Sequence, residues 1–97
     1  IDALLADLAT MTGVAVDAGD VLLDGSQLGG GYGHRTAAAG EATRLLATTE
    51  GILVDPIYTA KALAWLVAAA RAGDLDGETV VFWHAGGTPG LFEPLDV

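Results

Sequence analysis

Two tyrosines, one lysine, two histidines and a glycine-rich loop are the residues here whose types and spacing could do chemistry. Tyr58 follows Asp55-Pro56 by two residues, which puts it in the first turn of a helix, where the macrodipole favours negative charge. Composition alone makes Tyr58 and Tyr32 ordinary half-buried aromatics. Lys61 is the sole lysine and stands one turn beyond Tyr58. Burial makes an amine nucleophilic and fit for a Schiff base. The residues favour the plainer reading, a paired or snorkelling lysine near a helix start. His34 and His84 are far apart without metal-ligand spacing, and there is no cysteine, so no metal site is expected. Ser26, the one serine, lacks an elbow motif around it. Gly29-Gly30-Gly31-Tyr32-Gly33 could cradle a phosphate. It lacks the strand-then-helix context and the Gly-Lys-Ser/Thr ending that such cradles carry, and reads as a loop.

Three helices and several apolar runs must position these groups. Ile1, Leu4, Leu5 and Leu8 recur at helical spacing and predict a helix over 1–12 with Gly13 at its C-terminal end. Thr36 is placed to cap a second helix whose apolar face is Ala38, Ala42, Leu45 and Leu46, ending at Gly51. Asp55 as N-cap with Pro56 at the first helical position starts a third, running to about Ala72 and ending at Gly73. It carries Tyr58, Ala62, Trp65 and Ala69 on one face and Leu63, Leu66, Val67 and Ala70 on another, so burial on most sides is expected. Val14–Val16, Val21–Leu23, Ile52–Val54 and above all Thr79–His84 read as strands, the last of the kind found inside a covered parallel sheet. The order predicts an α/β fold, helices packed on a mostly parallel sheet. Ligands in such sheets collect beyond the carboxyl ends of strands, which selects the loop Ala85–Gly90 after His84.

Ninety-seven residues make one small domain at most, yet 52% are apolar and the mean hydropathy is +0.47. So much apolar surface on so small a body predicts that a larger one covers part of it. One lysine and three arginines against thirteen acids give a formal charge of −9, which argues against nucleic acid and anionic membrane as partners. The absence of cysteine excludes disulfides and thiolate chemistry. No basic stretch leads an apolar one at the N-terminus, and no apolar run is long enough to span a bilayer, so a cytoplasmic protein is expected. The start at Ile1 in mid-pattern, without Met, fits a cleaved or truncated product.

The stretch Thr49-Glu50-Gly51-Ile52-Leu53-Val54-Asp55-Pro56-Ile57-Tyr58-Thr59-Ala60-Lys61 carries a resemblance. With Gly31-Tyr32-Gly33, Glu41–Ala47, Gly73, His84-Ala85-Gly86-Gly87 and Pro89-Gly90-Leu91-Phe92, it resembles the C-terminal part of the D-cysteine desulfhydrase / 1-aminocyclopropane-1-carboxylate deaminase family. These are fold type II pyridoxal-phosphate enzymes, similar to the tryptophan synthase β chain. The resemblance covers nearly the whole chain, and the interval between the two tyrosines matches the family's. It implies that residues 1–97 are the C-terminal segment of the large cofactor-binding domain. It implies that Tyr58 is a catalytic acid/base or nucleophilic group and that Tyr32 positions the substrate. It further implies that Thr59, Ala85 and Gly86 lie at the pyridine ring. The deaminases resemble Glu and Leu at the positions of Thr59 and Ala85, the desulfhydrases Ser/Thr and Thr. Thr59 therefore leans to the desulfhydrases, while Ala85 matches neither. The resemblance implies that the covalent lysine and the phosphate loop of the family belong to regions this chain does not contain, and that Lys61 matches a position beyond the catalytic tyrosine and not the Schiff-base lysine. The implied partners are the remainder of the enzyme, a second copy in a homodimer and a small amino acid. The class-independent alternative is a non-catalytic interaction module.

Overall fold

The computed structural model describes residues 1–17, 19 and 21–92. Helices form at α1 (Asp2–Thr12), α2 (Ala37–Glu50) and α3 (Thr59–Ala72), followed by a 3₁₀ turn at Thr88–Phe92. As the sequence predicts, the three helices end at Gly13, Gly51 and Gly73, all in the left-handed conformation. Thr36 caps α2, its hydroxyl oxygen accepting the Ala39 N–H at 3.1 Å.

The start of α3 differs from the expected one. Asp55 does cap it, but the regular helix begins at Thr59 and not at Pro56. The Asp55 carboxylate takes the N–H groups of Ile57, Tyr58 and Thr59, at 3.0, 2.7 and 2.9 Å. The Ala60 N–H then bonds the Asp55 carbonyl at 2.9 Å, a step one residue wider than an α-helical bond. One side chain thus absorbs donors that a helix start leaves unpaired.

α2 and α3 pack on each other around a core of Ala39, Ala42, Val54, Ala60, Leu63 and Ala64, with Leu46, Leu66, Val67 and Phe82 alongside. Four alanines let the two backbones approach closely and leave little room between them. The faces differ from those expected. On α2 it is Ala39, not Ala38, that turns inward, and Leu45 is exposed. On α3 the face of Ala60, Leu63 and Ala64 is buried, whereas Tyr58, Ala62, Trp65 and Ala70 are exposed. A helix apolar all round is here covered on one side only.

The expected sheet is not seen among the described residues. Among the described residues there is no strand, and the runs Val14–Val16, Val21–Leu23, Ile52–Val54 and Thr79–His84 are irregular. A strand exists only as a member of a ladder. No partner for these runs lies among the described residues, and Val81 and Trp83 are each 81% exposed. The apolar character of the runs is real, but the surface that would pair with them is not on the described part of this chain.

Candidate functional site

Asp55 is the organiser of the site. It is 2% exposed, and the backbone of the loop after His84 lies directly on it. A Cβ placed on Gly87 would overlap the Asp55 carboxylate, and one on Gly90 would sit 3.2 Å from the Asp55 Cβ. Gly87 also has φ +90°, a conformation that side chains resist. Both features demand glycine. The Thr59 hydroxyl donates to the Gly86 carbonyl across a long 3.3 Å. Burial pushes the Asp55 carboxyl up, but the Thr59 hydroxyl, whose one proton is divided between the Gly86 carbonyl and this carboxylate, and the N–H groups of Tyr58, Thr59 and Ile57 outweigh it and hold the group below its ordinary range.

These contacts clamp two loops and a helix start into one corner. The Tyr32 and Tyr58 rings meet there with centroids 5.7 Å apart and planes inclined at 53°. Both remain largely exposed. Beside them is an open cavity of about 420 Å³, lined by Tyr32, Gly33, Asp55, Ile57, Tyr58, Gly87, Pro89 and Gly90. That volume is ample for a small ligand.

The structure therefore brings Tyr32 to Tyr58 and Thr59 to Gly86. Thr59, Ala85 and Gly86 do not line the cavity beside the tyrosines; Thr59 is 8% exposed and Ala85 is exposed. Lys61 turns away from that cavity. Its Nζ donates to the Leu28 and Gly31 carbonyls at 2.9 and 2.8 Å, so it is the paired lysine of the plainer reading. His84 ends its run with a ring nitrogen 3.2 Å from the Leu53 carbonyl, close enough for the Nε2 tautomer to donate.

The cavity wall holds no lysine or arginine. The N–H groups of Ile57, Tyr58 and Thr59 are taken by the Asp55 carboxylate and that of Ala60 by the Asp55 carbonyl, so these four are not available to an anion. The lining offers a small molecule two tyrosines and the backbone of the glycine loop, and no cationic group to meet a phosphate.

Sequence reasoning missed the double use of Asp55, which caps α3 and seats the glycine loop. The Asp-Pro pair signals the cap. The second role had a faint signal in Gly87 and Gly90, whose spacing alone does not say what they touch. The bond from Trp65 Nε1 to Asp24 Oδ2, at 2.8 Å, had no sequence signal at all.

The family model for pyridoxal-phosphate dependent enzymes matches residues 4–86. A protein of Pyrococcus horikoshii named "Putative 1-aminocyclopropane-1-carboxylate deaminase" is 41% identical over 92 residues, covering 95% of this chain and 27% of the relative. A protein of the same name from Pyrococcus abyssi is 44% identical over 63 residues, 65% of this chain and 19% of the relative. A "D-cysteine desulfhydrase" of Salmonella newport is 44% identical over 63 residues, 64% of this chain and again 19% of the relative. The chain thus spans about a quarter or less of the length of these curated relatives.

Proposed function

Since the chain belongs to the pyridoxal-phosphate dependent enzymes, we propose that it is the C-terminal segment of a lyase or deaminase acting on a small amino acid, and forms one wall of its active site. The observation that carries this reading is the pair of tyrosine rings, centroids 5.7 Å apart, lining an open cavity together with Gly87 and Gly90 of the loop seated on Asp55. Thr59 and the Ala85-Gly86 backbone would hold the ring of the cofactor, while its phosphate and covalent lysine would come from the rest of the enzyme. When bound, pyridoxal phosphate supplies an electron sink for charge developing on the substrate's α-carbon.

The residues of this chain orient the substrate and move protons. The Tyr58 phenol would donate its proton to the departing sulfur and recover one from water before the next turnover. Tyr32 abuts Tyr58 and limits how the substrate can turn. Asp55 holds both the Tyr58 backbone and the glycine loop, so that phenol and ring support keep one spacing. Thr59 would present the ring with a neutral hydroxyl, whose proton is here directed to the Gly86 carbonyl, and not with a carboxylate, which would make a weaker sink. That suits elimination of a good leaving group, and favours D-cysteine: water is taken up and pyruvate, ammonia and sulfide are released. The second reading, 1-aminocyclopropane-1-carboxylate deamination, rests on the relative from Pyrococcus horikoshii, which covers 95% of this chain.

A panel of substrates on the complete enzyme tests both. Sulfide and pyruvate in equal amounts from D-cysteine support the first reading. Ammonia from the cyclopropane amino acid, with no sulfide from D-cysteine, would replace it with the second. An enzyme that takes up no pyridoxal phosphate in a spectroscopic titration would sink both and leave the interaction module.

A further inference from the structure

Lys61 has no role in the chemistry above, yet its side chain is 7% exposed and its amine is fully engaged with one loop. The two carbonyls it meets are already in use. Leu28 O accepts the Gly31 N–H at 3.2 Å, and Gly31 O accepts the His34 N–H at 3.3 Å. A carbonyl has two lone pairs, so the amine fills the second on each. These bonds define two successive turns that share Gly31 and bracket Tyr32. The other ties of the loop are the Leu28 N–H bond to the Gly25 carbonyl at 3.2 Å, the close approach of Gly29 to the Thr36 side chain and the contact of the Tyr32 and Tyr58 rings. Gly29, Gly31 and Gly33 all have positive φ, and Leu28 and Tyr32 remain 60% and 79% exposed. Lys61 meanwhile stands one turn along α3 from Tyr58.

We propose that Lys61 is a positioning residue whose ammonium serves as a built-in cation: it ties the turns around Tyr32 to the helix that carries Tyr58, and so sets the spacing of the two phenols. The consequence for catalysis rests on the function proposed above; the consequence for the loop does not. A cation held by backbone carbonyls needs donors and charge at one point, and a small ammonium ion can supply both once the side chain is removed.

The test uses the complete enzyme with Lys61→Ala and Lys61→Met, read by backbone hydrogen exchange and by turnover. Exchange at the Gly31 and His34 amides is expected to rise about tenfold or more in both variants, while amides in the middle of α2 keep their parent rates. If the phenols act together, kcat falls about 10–100-fold, since a small misplacement near the reacting atoms costs that much. Propylammonium, which replaces the atoms lost in Lys61→Ala, is expected to restore protection and rate; tetramethylammonium, which has no N–H donor, is not. Parent-like exchange at Gly31 and His34 in Lys61→Met would overturn the proposal, as would equal rescue by both ions. Lys61→Gln keeps a polar donor and covers the case in which the other two fail to fold. A smaller change in the same direction supports the proposal, and parent-like exchange refutes it. Loss of loop protection in an enzyme that binds no pyridoxal phosphate would leave the Lys61 inference standing and remove only the function.

Discussion

Helices α1 and α3 are both rich in alanine and leucine, yet α3 buries Thr59, Ala60, Lys61, Leu63, Ala64 and Ala69 while α1 buries none of its residues. The difference lies in what else each helix carries. α3 has polar hooks into other parts of the chain: Asp55 at its start, Thr59 on Gly86, Lys61 on Leu28 and Gly31, and Trp65 on Asp24. The hydroxyls of α1 turn back on their own helix, Thr10 to the Ala6 carbonyl and Thr12 to the Leu8 carbonyl. An apolar stripe makes a helix amphipathic, but nothing in it says against what. Ile1, Leu4, Leu8 and Met11 stay exposed because the surface they suit is not among the described residues. The chain therefore divides into a site that it builds itself and a helix that, on the proposal above, the rest of the enzyme covers.

The largest effect is expected at Tyr58, just before α3, if it acts as the function proposed above requires. Tyr58→Phe keeps the ring and its contact with Tyr32 and removes the phenolic proton. In the complete enzyme kcat is expected to fall about 10²–10⁴-fold, the usual range for a lost acid/base group, with the unfolding midpoint little changed. Steady-state kinetics beside a urea titration separates the two. Activity within a few-fold of the parent would take Tyr58 out of the mechanism and reduce α3 to the same structural status as α1.

Next in size is the seat of the glycine loop. Gly87→Ala must adopt φ +90° and also displace the Asp55 carboxylate. Backbone strain of about 1–3 kcal/mol adds to an overpacking cost of about 1–3 kcal/mol. Gly86→Ala is the control, since its φ is +114° but nothing lies within 4 Å of the added Cβ. Urea midpoints should therefore place Gly87→Ala well below Gly86→Ala. Equal losses would mean that the loop does not rest on Asp55.

What was legible in the sequence follows the same division. Helix ends were readable, because Gly13, Thr36, Gly51 and Gly73 act through local backbone geometry. The apolar runs were readable as runs. Their conversion into strands was not, because pairing depends on partners that local pattern cannot supply, and Val81 and Trp83 are the visible cost. Helix faces were readable only to within one residue, as Ala39 in place of Ala38 demonstrates. At the site, the chemistry-bearing types were conspicuous: few tyrosines, one lysine, an Asp-Pro start. What they touch was not, since the contacts of Lys61 with Leu28 and Gly31 join residues about thirty positions apart.

A smaller, pH-dependent effect belongs to Asp55. Its carboxyl is held below the ordinary 3.8, so the stability it contributes is present above that value and is lost as the pH falls through the lower folded value. Asp55→Asn keeps the shape and one acceptor oxygen but removes the charge. At neutral pH it is expected to cost about 1 kcal/mol, in the range of other N-cap losses. The gap between parent and variant should narrow on acidification below about pH 4, where Asp55 of the unfolded parent begins to protonate while the folded carboxylate is still charged. Thermal unfolding of both proteins from pH 6 to pH 3 reads this directly. A gap that stays constant across that range would mean that the charge of Asp55 does not hold the start of α3.

The smallest effect is expected on α1, and it tests the division itself. Leu4→Ala and Leu63→Ala are the same chemical change on two similar helices, at 71% and 5% exposure. In this chain by itself Leu63→Ala removes a core side chain, which ordinarily costs about 2–5 kcal/mol. Leu4→Ala removes atoms that already face water and puts the better helix former in their place, so its effect should stay within about 0.5 kcal/mol in either direction. Urea titrations followed by helical circular dichroism compare the two. A Leu4→Ala loss approaching that of Leu63→Ala would show that α1 packs on this chain after all. If the losses differ as expected here but converge in the complete enzyme, the stripe of α1 is a surface made for the remainder of the protein, and its exposure in this chain has the same cause as that of Val81 and Trp83.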